Sequence, residues 1–154
     1  MTRPGLSLLI KAGLITGLLD ILAAFTSFYL KTGKNPVLVL KFIARGLFGS
    51  AAFSGGDVMA LYGLLLHFII AFCFAAFFFL IMPRLFPSAS NKFLTAVAYG
   101  VFIWLVMNLL IVPLSNTPKQ SFHALDTALS MIILIVCIGL PLSFIYFNRI
   151  KPIK

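Results

Sequence analysis

Residues 58–82 read VMALYGLLLHFIIAFCFAAFFFLIM, twenty-five positions without a Lys, Arg, Asp or Glu. As a helix rising about 1.5 Å per residue, this run reaches roughly 37 Å, more than the hydrocarbon core of about 30 Å. Inside lipid every backbone N–H and C=O must find its partner within the segment or a closed barrel. A long continuous apolar run of this kind satisfies that demand as a helix and identifies a membrane span.

Three other runs, lying on either side of this one, have the same character. The first covers 6–30, the third 93–113 and the fourth 124–147. The run at 6–30 follows Arg3, as a secretion signal would. It is too long for a signal's apolar region and is interrupted by Lys11 and Asp20, so it is expected to be retained. Punctuation supports the same division. Asp57, after Gly55-Gly56, suits the N-cap of the second span, and Pro83 and Pro87 are expected to end it. Ser90-Asn91 opens the third span and Pro113 is expected to close it. Pro118 and Ser121 lead into the fourth, which Arg149, Lys151 and Lys154 follow, and Pro141 removes a hydrogen bond to the Cys137 carbonyl and is expected to kink it. The fold class is therefore an all-α integral membrane protein, one transmembrane domain over 1–154 with four spans.

Residues 36–49 fit no span. The segment is apolar apart from Lys41 and Arg45, four residues apart and so on one helical face, and Asn35-Pro36 is a good helix start. About fourteen residues are too few to cross, and the cationic face favours an interfacial helix at the membrane surface. Gly46, Gly49, Gly55 and Gly56 leave a re-entrant hairpin as the alternative.

Composition agrees. Of 154 residues 62% are hydrophobic and 10% charged, and the mean hydropathy is +1.13. A soluble domain carries about 25% charged residues, so the solvent for most of this chain is lipid. The net charge of +9 would suggest nucleic acid in a soluble protein, but the twelve Lys and Arg lie mostly outside the apolar runs, where they anchor helix ends to membrane lipids. No nucleic-acid partner is expected. Cys73 and Cys137 form no Cys-x-x-Cys pair and read as packing residues. Arg3, Lys11, Arg84, Lys92, Arg149, Lys151 and Lys154 fall on the side of the termini, against Lys31, Lys34, Lys41, Arg45 and Lys119 on the other. Seven against five favours cytoplasmic termini.

The informative residues are the polar ones within the spans. Asp20, His67, Asn108 and Ser130 lie at depths of roughly 21, 22, 22 and 25 Å from the terminal side by helical rise. All four spans thus contribute to one polar layer. Gly13, Gly17, Asp20 and Ala24 share a face of the first span, and Gly63, His67, Ala71 and Ala75 share one of the second. Ala96, Gly100, Trp104 and Asn108 do so on the third. Small residues let helices approach, so Gly13, Gly17, Gly63 and Gly100 are candidate packing positions, and Asp20, His67 and Asn108 are expected to turn inward and meet. Such a layer is either interhelical glue or a proton or solute site. The tyrosines and Trp104 read as belt or packing residues.

His67 and His123 lie at different levels and have no Cys or Glu cluster nearby, so neither haem nor metal is expected, and no cofactor. Nucleophile elbow, phosphate loop and paired carboxylates are missing from the sequence, which argues against an enzyme.

The order of elements resembles the YagU-like family of bacterial inner-membrane proteins of unknown function. The residues that carry the resemblance are GLITGLLDILAAF from Gly13, HFIIAFCFAAFFFLIMPRLFP from His67, Gly100, and VPLSNTP over 112–118. The chain differs in its short connection between the first two spans and in its basic tail. The resemblance implies an inner-membrane location and supplies no catalytic residues. Two functions are expected from the residues themselves: a non-enzymatic membrane protein whose bundle or oligomer is organised by the polar layer, or a small proton-coupled transporter or channel subunit using Asp20 and His67. The second would require a homodimer or larger homo-oligomer.

Overall fold

The structure is a computed structural model describing residues 5–85, 91–118 and 123–150. Arg3, Pro87, Ser90, Lys119, Ser121, Lys151 and Lys154, all used in the sequence reading, lie outside the described residues. Every regular element among the described residues is helical, and four helical stretches are long and apolar enough to cross a membrane: Leu6–Thr32, Gly56–Arg84, Lys92–Leu114 and Ala124–Arg149.

The first span is α1 (Leu6–Thr32). It ends at Gly33, whose φ of 65° is left-handed and whose N–H bonds the Tyr29 carbonyl at 2.8 Å, an αL termination that glycine adopts without a side-chain clash. Two short helices follow, α2 (Val37–Phe48) and α3 (Ala51–Ser54). Asn35 Oδ1 accepts the Val37 N–H at 3.0 Å, as the Asn-Pro start suggests. The main helix of the second span is α4 (Gly56–Leu80), followed by the turn α5 (Met82–Leu85). Asp57 is not its cap. Gly55 occupies that position and Asp57 sits in the first turn, where a carboxylate still suits the positive end of the helix dipole. Pro83 likewise falls inside α5 and not beyond the helical stretch.

The third span begins with α6 (Lys92–Val106), capped by Asn91, whose side chain accepts the N–H groups of Phe93 and Leu94 at 2.9 and 3.2 Å. It continues through a π-helical segment, Met107–Ile111, into α7 (Val112–Leu114). The fourth span consists of α8 (Ala124–Leu134), a second π-helical segment, Ile135–Gly139, and α9 (Leu140–Arg149).

Pro113 was expected to close the third span, and instead the helix passes through it to Leu114. The two π segments give the reason. Each ends two residues before a proline, Pro113 or Pro141. In an α-helix the proline ring would strike the carbonyl four residues back. Widening the turn moves that carbonyl aside: the Val112 N–H reaches the Met107 carbonyl and the Leu140 N–H reaches Ile135, five residues back in each case. Both spans absorb a proline by the same device.

In the bundle α1 lies between α4 and the fourth span, and α6 packs on the fourth span. Aromatic contacts close the remaining side: Tyr99 Oη donates to the Phe74 carbonyl at 2.6 Å, and the Phe77 and Phe102 rings stack at 5.2 Å. The buried apolar side chains form two clusters. The larger, towards the termini, is built around Phe74, Phe78, Tyr99, Leu142 and Phe147. The smaller, towards the opposite end, joins Ile21, Leu40 and Ala60. Asp20 and His67 lie between the two along α1 and α4, whereas Asn108 lies beside Met107 and Ile111 of the larger. At the end opposite the termini Lys31 pairs with Asp126, tying α1 to the start of α8.

Candidate functional site

The site begins with a glycine. Gly17 lies buried on α1 beneath Phe68 and Ala71 of α4, where a Cβ would come within 2.9 Å of the Phe68 ring. That close approach brings His67, the residue preceding Phe68, up to the α1 backbone. His67 Nε2 lies 2.8 Å from the Gly17 carbonyl oxygen. A carbonyl only accepts, so Nε2 carries the proton and donates. The Phe68 ring also meets the imidazole edge to face at 5.5 Å. Gly13, one turn earlier, sits against Phe72 so tightly that a Cβ would overlap that ring.

Asp20, three residues beyond Gly17, is half-buried and within electrostatic range of His67 and of the Cys137 thiol in the second π segment. Its carboxylate makes no hydrogen bond among the described residues. The span that carries this carboxylate packs against both the second span and the π segment of the fourth.

Asn108 does not join this group. It falls in the π segment of the third span, and its Nδ2 donates to the Trp104 carbonyl of its own helix at 3.0 Å. The widened turn disturbs the regular backbone ladder there, and the amide supplies an extra donor. Ser130 is engaged by a residue read from sequence as a belt or packing residue: Trp104 Nε1 donates to Ser130 Oγ at 2.9 Å, and Ser130 Oγ donates onward to the Thr127 carbonyl at 2.9 Å. The expected single meeting of Asp20, His67 and Asn108 therefore resolves into two contacts, one between the first and second spans and one between the third and fourth. Depth along each helix, the quantity used to find the layer, carries no information about azimuth.

The packing glycines differ in what they face. A Cβ on Gly100 would come within 2.5 Å of Ile135 in the fourth span. One on Gly63 would run into the Leu40 carbonyl, so Gly63 serves α2 and not a neighbouring span. Gly139, not singled out from the sequence, sits against the Ala96 carbonyl in the same manner. Its spacing of four from Ser143, a small-xxx-small pattern in the fourth span, was the available signal.

Lys41 and Arg45 do lie four apart on α2, both half-buried. The helix is not a free surface element. Leu40 and Ala44 are buried, and the end of the third span holds α2 in place: the Asn116 N–H donates to the Gly46 carbonyl at 3.1 Å and its Nδ2 to Leu47 at 3.2 Å. These carbonyls are among the last four of a helix, which have no partner within it.

No group of three or more His, Cys, Asp or Glu is placed to hold a metal ion among the described residues. Comparison with known protein families, with characterised proteins and with solved structures finds no match to this chain.

Proposed function

We propose that this multi-pass membrane protein performs no reaction of its own and that its mid-span polar groups act as fasteners holding the helices of the bundle in register. The observation that carries this reading is the 2.8 Å contact between His67 Nε2 and the Gly17 carbonyl. It uses the imidazole N–H to join two spans, as Trp104 Nε1 does with Ser130 Oγ at 2.9 Å for the other two. Interhelical hydrogen bonds in membranes contribute about 0.6–2 kcal/mol each. The two fasteners share no residue, so their losses should add to within about 0.5 kcal/mol. The test is the unfolding of His67→Ala, Ser130→Ala and the double variant in detergent. Each single change is expected to destabilise, and the double to equal the sum. Wild-type stability in both single variants would overturn the reading.

Asp20 favours a second reading, a small proton-coupled transporter or channel subunit in which Asp20 and His67 exchange protons. A carboxylate at mid-span costs at least about 2.5 kcal/mol when charged, and no hydrogen bond among the described residues offsets that cost for Asp20. Four helices make a thin wall, so the pathway would lie in a homodimer. In proteoliposomes Asp20→Asn is expected to abolish a proton-dependent flux while leaving the melting transition in place. A wild-type chain that carries no such flux, or a flux that survives the substitution, removes the transport reading and leaves the fasteners untouched.

A further inference from the structure

Arg45 presents an unsolved electrostatic problem at the far end of the bundle, independent of the mid-span layer. Its Nε is fully buried and has no hydrogen-bond partner. The guanidinium lies over the Phe53 ring, 5.8 Å from its centroid, so one flat side is covered by an aromatic face. Among the described residues Arg45 makes no ion pair, and the nearest turn of α2 places a second cation, Lys41, on the same face. Removing a charged donor from water without an acceptor is costly, whereas a cation paired with a suitable anion recovers much of that cost. The acidic residues at this end are Asp57, in the first turn of α4, and Asp126, which is held by Lys31. The backbone that carries the guanidinium is held in place, because Asn116 clamps the carbonyls of the turn that follows it. A partly desolvated guanidinium with an ammonium one turn away matches the fork geometry and charge of a phosphate group.

We infer that Arg45 and Lys41 form a binding site for a phosphate group, supplied by the headgroup of an anionic membrane lipid. The lipid source follows from location: the site is carried on a helix packed against α4 at the end of the spans, where α4 displays exposed Val58, Leu61, Tyr62 and Leu65 for acyl chains. Headgroup phosphate would accept from the two Nη groups, beyond the buried Nε, while the chains lie along these side chains.

The full chain in detergent, titrated with phosphatidylglycerol and followed by native mass spectrometry, tests the site. Arg45→Gln is expected to weaken binding about tenfold, the loss of a hydrogen bond to a charged group, and Lys41→Gln about fivefold, the loss of one cation near a lipid surface. Lys41→Gln removes no buried donor and keeps the test decisive should Arg45→Gln fail to fold. Diacylglycerol, which has the same chains and no phosphate, is expected not to bind. Inorganic phosphate is expected to compete only weakly. If it binds alone with the same dependence on Arg45, the phosphate site stands and the lipid source is overturned. Equal binding of phosphatidylglycerol by wild type and both variants, or equal binding of diacylglycerol, overturns the site itself.

Discussion

At Gly17 one missing side chain serves two contacts. It lets the Phe68 ring lie against α1, and it exposes the carbonyl that His67 reaches. Gly17→Val would add a branched side chain at a position where even a Cβ meets Phe68 at 2.9 Å and Ala71 at 3.1 Å. Overpacking of this kind costs about 1–3 kcal/mol, and loss of the hydrogen bond adds about 0.6–2. Gly17→Val is therefore expected to destabilise more than His67→Ala in the same detergent unfolding assay. The reverse order would mean that the His67 bond survives without the close approach at Gly17. Gly17 and His67 were both legible in the sequence, through small-residue spacing and through the rarity of polar residues in a span. Their direct bond was not, because the acceptor is a backbone carbonyl that every residue carries. Trp104 was hidden for a related reason. Its ring fits a membrane belt or a core equally well, and only the structure shows its N–H turned to Ser130.

Among the elements, α2 forms where the sequence placed a short helix, over Val37–Phe48, and what the sequence left open is its packing partner. Amphipathic spacing and two cations suggested a helix resting on the membrane surface, and the structure docks it on α4, backbone against backbone, with the Leu40 carbonyl over Gly63. Glycine content gave the hint, since Gly63 can admit another segment's backbone, but sequence does not say which segment arrives. The same distinction yields a ranking. A methyl on Gly63 or Gly139 meets a carbonyl of a neighbouring helix, which cannot move without its helix. A methyl on Gly13 meets only the Phe72 ring, which can rotate away. Gly63→Ala and Gly139→Ala are expected to lower the melting temperature clearly more than Gly13→Ala, measured on the same preparation. In Gly63→Ala the released α2 should also become sensitive to protease at Lys41 or Arg45. Pro113 marked the end of the third span to within one residue, and what the sequence did not show is the π turn that relieves its clash with the preceding turn and carries the helix to Leu114.

For the molecule as a whole, the distribution of apolar surface agrees with the composition. Leu14, Ile15, Leu18, Leu19 and Leu22 of α1 are 41 to 52% exposed, a band that would be untenable in water and that lipid covers at no cost. Four spans and their order were legible because length and hydropathy alone define a span. The way the spans pair was not, since outward faces and inward faces are equally apolar in lipid and only a few small or polar residues mark the difference. The account stands on those few residues turning inward. Spin labels at single cysteines on α1, in a background with Cys73 and Cys137 replaced by alanine and the chain in lipid nanodiscs, test this directly through collisions with oxygen dissolved in the acyl chains. The account predicts high oxygen accessibility at positions 14, 18 and 22 and low accessibility at 13, 17 and 20. Position 20 as accessible as position 18 would contradict it.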